Sequence, residues 1–216
     1  MSASKRYTVG EEIFNSVSHG VSALAAVVGC TVMVTLSVCF GNRKAVVCSL
    51  VFGLALVIMY TMSTLYHAFP FEKVKKLFRI FDHSSIPLLI AGSYTPFCVI
   101  ALDGNPKGLI VVAVVWRCAL LAILLNVINL DRFEKYTLFL YIAMGWAVLF
   151  ALKDIVAALP RGGFVLLAAG GVAYTAGIIF YKIRVKYMHS IWHLFVTAGS
   201  LLHFLCVVMF VLPMTY

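Results

Sequence analysis

The sequence predicts an all-α integral membrane protein, a bundle of seven transmembrane helices, and three observations support this fold class. Hydrophobic residues make up 63% of the chain, charged residues only 12%, and the mean hydropathy is +1.03. This composition is far more apolar than that of a water-soluble domain. Apolar runs long enough to cross a bilayer follow one another between short polar connectors. None of them has the alternating pattern of a membrane β-barrel strand.

Seven apolar runs account for nearly all of the chain. They cover residues 18–40, 45–69, 83–102, 109–130, 136–159, 164–181 and 190–212. We therefore expect a single membrane domain over residues 1–216, with a short cytoplasmic N-terminal segment at residues 1–12. Because residues 1–15 are polar and the first run is long enough to remain as a span, no cleavable signal peptide is expected. Pro87 and Pro96 lie inside the third run, where prolines are expected to kink a helix.

Lysine and arginine predict the orientation of the bundle, because cytoplasmic connectors carry an excess of both. One side collects Lys5, Arg6, Lys73, Lys75, Lys76, Arg79, Arg132, Lys135, Lys182, Arg184 and Lys186. The other side collects Arg43, Lys44, Lys107, Lys153 and Arg161. We therefore expect a multi-pass protein of the cell membrane with its N terminus in the cytoplasm and its C terminus outside. The formal net charge of +9 reflects this topology and predicts an attraction to anionic lipid headgroups. The sequence has no nucleic-acid-binding motif.

A metal site is predicted at the cytoplasmic end of the bundle. His189 and His193 are four residues apart, so both imidazoles lie on one face of a helix, about 6 Å apart along its axis. The direction of the chain brings His67, at the end of the second span, to the same depth. Three histidine nitrogens and one open position form the pattern of a catalytic zinc site. The cofactor expected from these residues is Zn²⁺.

Two further residues are candidates for the chemistry of this site. Asp82, at the start of the third span, could hold and deprotonate a water or orient a ligand imidazole. Ser63 lies one helical turn before His67 and could hydrogen-bond into the same cavity. His83 follows Asp82 but points about 100° away around a helix, so at most one of the two faces the cavity squarely, and we favour Asp82.

A plainer interpretation applies to any single membrane histidine, which is usually hydrogen-bonded to a neighbouring helix. Three histidines at one depth, one pair with helical spacing and a nearby acid favour the metal. His19 is expected to cap or pack rather than to line the site, and His203 lies about 15 Å beyond His193 along the helix, too far to share its ion. Arg117 interrupts the fourth span, and a structural pairing or snorkelling is expected for it.

Several segments resemble the haemolysin III family of bacterial membrane proteins. They are E-E-I-F-N-S-V-S-H-G, S-T-L-Y-H, F-D-H-S-S-I-P-L-L-I-A-G-S-Y-T-P-F, A-M-G-W and H-S-I-W-H-L-F-V-T-A-G-S-L-L-H-F, between Glu11 and Phe204. That family is similar to the progestin and adipoQ receptors, which include the adiponectin receptors, and more distantly to the alkaline ceramidases. The resemblance implies a zinc site of His67, His189 and His193, with Asp82 holding a water and Ser63 in the same pocket. It also implies a role in membrane lipid or energy homeostasis.

Three functional hypotheses follow. The first is a zinc-dependent hydrolase of a lipid amide or ester, with ceramidase-like chemistry and a substrate that enters sideways between helices. The second is a nonenzymatic membrane sensor or regulator in which zinc only joins helices. The third is a pore, as the haemolysin name implies, although the polar residues are concentrated at one side of the bundle. Membrane lipids are the expected environment and a candidate substrate, and the sequence identifies no protein partner.

Overall fold

The computed structural model describes residues 7–216, and within that range every regular element is a helix. The all-α prediction is therefore confirmed. Lys5 and Arg6, which belong to the predicted cytoplasmic set, lie outside the described residues. The seven α-helices are α1 (Val9–Cys39), α2 (Arg43–Ala68), α3 (Glu72–Pro96), α4 (Pro106–Gly145), α5 (Leu152–Ala158), α6 (Arg161–Lys182) and α7 (Met188–Cys206).

Six helical stretches of the described chain are long and apolar enough to cross a membrane. Five of them contain 22 to 31 residues, whereas the stretch Pro106–Ala158, which includes α4 and α5, contains 53. The sequence had predicted two runs in this region, at residues 109–130 and 136–159. The difference in count between six stretches and seven predicted spans therefore depends on this one stretch.

The chain reverses its direction within α4. Asn129 has φ −165° and ψ 94°, which are not helical values, and its side-chain oxygen accepts a hydrogen bond from the backbone N–H of Arg132 at 3.0 Å. Asn126 donates to the hydroxyl of Tyr141 at 2.9 Å. Two residues 15 positions apart on a straight helix would be separated by roughly 22 Å. The two arms of α4 therefore form a helical hairpin.

Two helices begin earlier than the apolar runs predicted. The first run starts at residue 18, but α1 begins at Val9, where Thr8 and Glu11 form a capping box. The third run starts at residue 83, but α3 begins at Glu72. Hydropathy detects only the apolar part of a helix, so it does not predict a first turn that is polar. Both prolines of the third run lie in α3, and the backbone departs from α geometry directly after Pro96, in a π-helical turn at Phe97–Ala101.

The bundle carries large apolar residues on its outside, and its mostly apolar interior also contains buried polar residues. Large exposed side chains include Leu24, Phe139 and Val172, at 72%, 71% and 63% exposure. Asn15 and Asn126, in contrast, are fully buried. This distribution suits a protein surrounded by lipid. Helix α1 packs against α2 and α7. Contacts of His67 with Glu12 and His189 bring the N-terminal turns of α1 and α7 next to the C-terminal turn of α2.

Candidate metal centre

Three histidines from two helices converge at one end of the bundle. His67 lies in the last turn of α2, and His189 and His193 lie in the first turns of α7. One ligand nitrogen from each lies within 4.8 Å of the others. His67 and His193 are buried, and His189 is partly exposed. The structure thus brings together the three residues that the sequence singled out as metal ligands.

One pair of donors has the spacing of two ligands of a tetrahedral ion. The Nε2 atoms of His189 and His193 are 3.1 Å apart. Two imidazole nitrogens that bind one tetrahedral zinc at the usual Zn–N distance are roughly 3.3 Å apart. Nε2 of His67 is buried and has no hydrogen-bond partner among the described residues. A buried polar atom without a partner costs about 1–3 kcal/mol, and a bound cation would remove that cost. The residues present therefore fit a zinc ion.

The other ring nitrogen of His67 contacts an acid that the sequence interpretation missed. Nδ1 of His67 lies 2.6 Å from Oε2 of Glu12, in the first turns of α1. Oε1 of Glu12 lies 2.8 Å from the ammonium of Lys75 in α3. The signal that could have revealed Glu12 is an acid shortly before the first apolar run, on the same predicted side of the membrane as the histidines.

The N-terminal residues also join the centre to α7. Glu11 accepts a hydrogen bond from the backbone N–H of Tyr187 at 2.8 Å, directly before α7 begins. Tyr187 has φ +65°, a left-handed value that residues other than Gly, Asn and Asp rarely adopt. The ring of Tyr7 stacks on His189, with centroids 4.8 Å apart. Glu12, in the first turn of α1, therefore contacts a candidate ligand of α2, and Tyr7, just before α1, contacts one of α7.

His19 is closer to the centre than its expected packing role suggested. Its ring stacks on that of His193, with centroids 3.6 Å apart, and meets Tyr60 edge-on at 5.0 Å. Both of its ring nitrogens are buried without a hydrogen-bond partner among the described residues. It packs, as expected, but against a candidate ligand. His203 lies elsewhere, as predicted, with Nε2 3.2 Å from the carbonyl oxygen of Leu167.

Asp82 and Ser63 are both buried, at 3% and 1% exposure. The Ser63 hydroxyl has no hydrogen-bond partner among the described residues. Asp82 is not a member of the three-histidine cluster, and its carboxylate lies 3.6 Å from Nδ1 of His83. That nitrogen also lies 3.0 Å from the carbonyl oxygen of Arg79. The catalytic roles of Asp82 and Ser63 stay predictions.

Arg117 lies on the exposed surface of α4. Arg117 makes no ion pair or side-chain hydrogen bond with another of residues 7–216, so the expected structural pairing is not observed. An arginine in this position can extend its stem along apolar surface towards a headgroup region.

A cavity of about 380 Å³ adjoins the centre. Apolar side chains of α3, α4, α6 and α7 form most of its wall, and His83 lines it as well. Trp192 lies between the cavity and the centre: it lines the cavity, and its ring centroid is 4.9 Å from that of His189 and 5.3 Å from that of His193. None of His67, His189, His193, Asp82 and Ser63 lines the cavity, so Trp192 separates a ligand bound there from the histidine cluster.

Comparisons with known proteins agree on one family. The family model described as "Haemolysin-III related" matches residues 7–204. The chain is 41% identical to "Hemolysin-3" of Bacillus cereus over 206 residues, which are 95% of this chain and 94% of the relative. It is 36% identical to "Hemolysin-3 homolog" of Bacillus subtilis (strain 168), over 94% of this chain and 96% of the relative. It is 25% identical to the human "Monocyte to macrophage differentiation factor", over 94% and 86%.

Proposed function

Since the chain belongs to the haemolysin III family of multi-pass membrane proteins, we propose that it is a zinc-dependent hydrolase of a lipid amide or ester. The observation that carries the proposal is the convergence of His67, His189 and His193 on one point. Three histidine ligands leave one coordination position open, as hydrolytic zinc sites require. When bound, zinc polarises a carbonyl oxygen and lowers the pKa of water at the open position.

Asp82 is the proposed general base. It takes a proton from the attacking water, whose oxygen forms the new bond to the acyl carbon. The C–N or C–O bond of the substrate then breaks, and the proton passes from Asp82 to the leaving amine or alcohol. The buried hydroxyl of Ser63 has no partner among the described residues, so it is available to donate a hydrogen bond to the substrate.

The proposed substrate is a membrane amphiphile. The cavity beside the centre has mostly apolar walls, which suit an acyl chain, and its volume is in the range of small-molecule sites. Trp192 lies between this cavity and the ligand histidines. With its chain in the cavity, the lipid would present its amide or ester group near the centre. A role in membrane lipid homeostasis would follow from this reaction.

The proposed topology has seven crossings, with the N terminus in the cytoplasm and the C terminus outside. A continuous helix of 53 residues would be roughly 80 Å long, more than twice the hydrocarbon thickness of a bilayer. Asn105 and Asp154, at the two ends of this stretch, are joined by a hydrogen bond of 2.8 Å. The hairpin therefore supports two crossings within 106–158. The arrangement of lysine and arginine supports the orientation.

One observation favours a second function, a sensor or regulator with a structural zinc. The ligands come from α2 and α7, so an ion would join two helices that are distant in the sequence. An ion with this role stabilises the fold but needs no base and no substrate cavity. The cavity on the other side of Trp192, which could hold a substrate chain, favours the hydrolase.

The proposed hydrolase is tested with purified, zinc-loaded protein in liposomes. Lipid amides such as ceramides, and lipid esters of matched chain length, are supplied, and the released fatty acid is measured. The proposal expects release that depends on zinc and on His193. Retention of zinc without cleavage of any of these lipids would contradict it and favour the structural ion.

A further inference from the structure

We propose that Glu12 is a positioning residue of the metal centre, which holds His67 with its Nε2 atom directed at the metal, and that Lys75 fixes Glu12 in that role. This inference rests on the proposed zinc site and deepens it. The contact between Glu12 and His67 joins residues 55 positions apart, on α1 and α2, at 2.6 Å. The His67 side chain is fully buried and that of Glu12 is 20% exposed.

The contact determines which nitrogen of His67 can bind a metal. A carboxylate only accepts hydrogen bonds, so Nδ1 must carry the proton and donate it to Glu12. Nε2 then has its lone pair available, and this is the atom that is buried without a partner among the described residues. Ligand histidines commonly donate their second nitrogen to a carboxylate, which fixes both the tautomer and the ring orientation.

Lys75 completes the arrangement. Its ammonium lies 2.8 Å from the other oxygen of Glu12 and donates to the carbonyl oxygen of Tyr66 at 3.1 Å. Both carboxylate oxygens of Glu12 thus have a partner, which restricts rotation of the group. Because Tyr66 immediately precedes His67, Lys75 anchors the backbone beside the ligand as well as the acid that orients it. The set links α1, α2 and α3.

A competing explanation is that Glu12 and Lys75 form only an ion pair that attaches α1 to α3. An ion pair of this kind would stabilise the protein equally with and without zinc. A positioning residue acts mainly on metal binding. The two explanations therefore differ in the zinc-dependent part of the stability and in the ligand field at the metal.

The test compares Glu12→Gln, Glu12→Ala and Lys75→Met with the wild type, in the full chain purified in detergent. Zinc affinity is measured by competition with a chromophoric chelator. The increase in thermal midpoint on adding zinc and the visible absorption of the cobalt-substituted protein are measured in parallel. Glu72→Gln is the matched control, because Glu72 pairs with Lys76 on the exposed surface of α3, and both side chains are about two-thirds exposed.

We expect Glu12→Ala to weaken zinc binding about 10- to 100-fold, with a smaller loss for Glu12→Gln, which can still accept a hydrogen bond. The zinc-induced increase in thermal midpoint shrinks and the cobalt spectrum changes in both variants. Lys75→Met weakens zinc binding less than Glu12→Ala does, and Glu72→Gln behaves as the wild type.

Wild-type zinc affinity and an unchanged cobalt spectrum in both Glu12 variants would overturn this inference and leave the proposed hydrolase intact. A wild-type protein that binds no zinc would overturn both. If Glu12→Gln and Glu12→Ala do not fold, the zinc affinities of Glu12→Asp and Lys75→Met decide between the two explanations. Glu12→Asp keeps a carboxylate beside Lys75, and Lys75→Met keeps the contact between Glu12 and His67. Unaltered zinc affinity in these two would count against the positioning role.

Discussion

The imidazoles of His19 and His193 lie parallel, with ring centroids 3.6 Å apart and planes inclined by 12°. His193 is a candidate ligand, whereas His19 is not among the residues whose ligand atoms converge. The ring of His19 covers one face of His193. The ring of Tyr60 meets that of His19 edge-on, with centroids 5.0 Å apart. His19 therefore supports the centre through packing, and this role can be separated from coordination.

His19→Phe is expected to keep zinc binding, because phenylalanine preserves a flat ring against His193. His19→Ala is expected to lower the free energy of unfolding by about 2–3 kcal/mol, since it leaves a cavity in a packed region. Zinc content and the thermal midpoint of the two variants check this prediction. Loss of zinc in His19→Phe would instead make His19 a ligand.

Removal of the metal is expected to destabilise the protein. A ligand present at 100 times its dissociation constant stabilises the folded state by about 2.7 kcal/mol. A chelator should therefore lower the thermal midpoint of the wild type and restore it when zinc is added back. His67→Ala is the comparison, since the loss of one ligand should remove most of the response. An equal response in both proteins would place the metal elsewhere.

Asp82→Asn is expected to keep zinc and lose activity. Asparagine has nearly the same shape but cannot accept the proton, and general base catalysis contributes roughly 10²- to 10⁴-fold. The expected result is a fall of at least about 100-fold in fatty-acid release, with metal content unchanged. Asp103→Asn is the control, because Asp103 is 64% exposed and pairs with Lys44. Full activity in Asp82→Asn would favour the structural ion.

Filling the cavity is expected to block long-chain substrates. Gly171 lines the cavity, and a Cβ atom added there would have no heavy atom within 4 Å. Gly171→Phe should therefore place its ring in the space assigned to the acyl chain. Release from long-chain amides or esters should fall more than release from short-chain ones, with zinc unchanged. Val165→Phe, on the exposed surface of α6, should have no effect, and equal losses in both variants would argue against the assignment.

The side of the membrane on which Arg184 lies distinguishes six crossings from seven. With seven crossings, Arg184 and Asp103 lie on opposite sides. With a single crossing at 106–158, they lie on the same side. Variants Arg184→Cys and Asp103→Cys, in which the exposed Cys39 is replaced by serine, are labelled by a membrane-impermeant thiol reagent in intact cells, and the protein with only the Cys39 replacement is the background control. We expect labelling at residue 103 and none at residue 184 until the membrane is permeabilised.

Local helix geometry explains why part of the site was predictable. The pair His189 and His193 follows from the helical repeat, and His67 follows from the depth at which α2 ends. Glu12 could not be found in this way, because its contact with His67 joins residues 55 positions apart and depends on how α1 packs. The stack of His19 on His193 depends on the same packing.

The fold, like the site, was only partly predictable from the sequence. Hydropathy predicted two apolar runs, at residues 109–130 and 136–159, and the structure reverses direction at Asn129, near the end of the first of them. It missed the polar first turns of α1 and α3, which contain Glu12 and Lys75. Glu12 and Lys75 pair with each other across the two turns, and a scale that sums single residues cannot detect such a pair.

Metal analysis of the purified wild type and of His193→Ala decides whether the three histidines bind a metal. We expect about one zinc per chain in the wild type, bound at a site of the catalytic type, and little or none in His193→Ala that still folds. A wild type without a bound transition metal, or His193→Ala with its full metal content, would contradict the claim that these histidines form a metal centre.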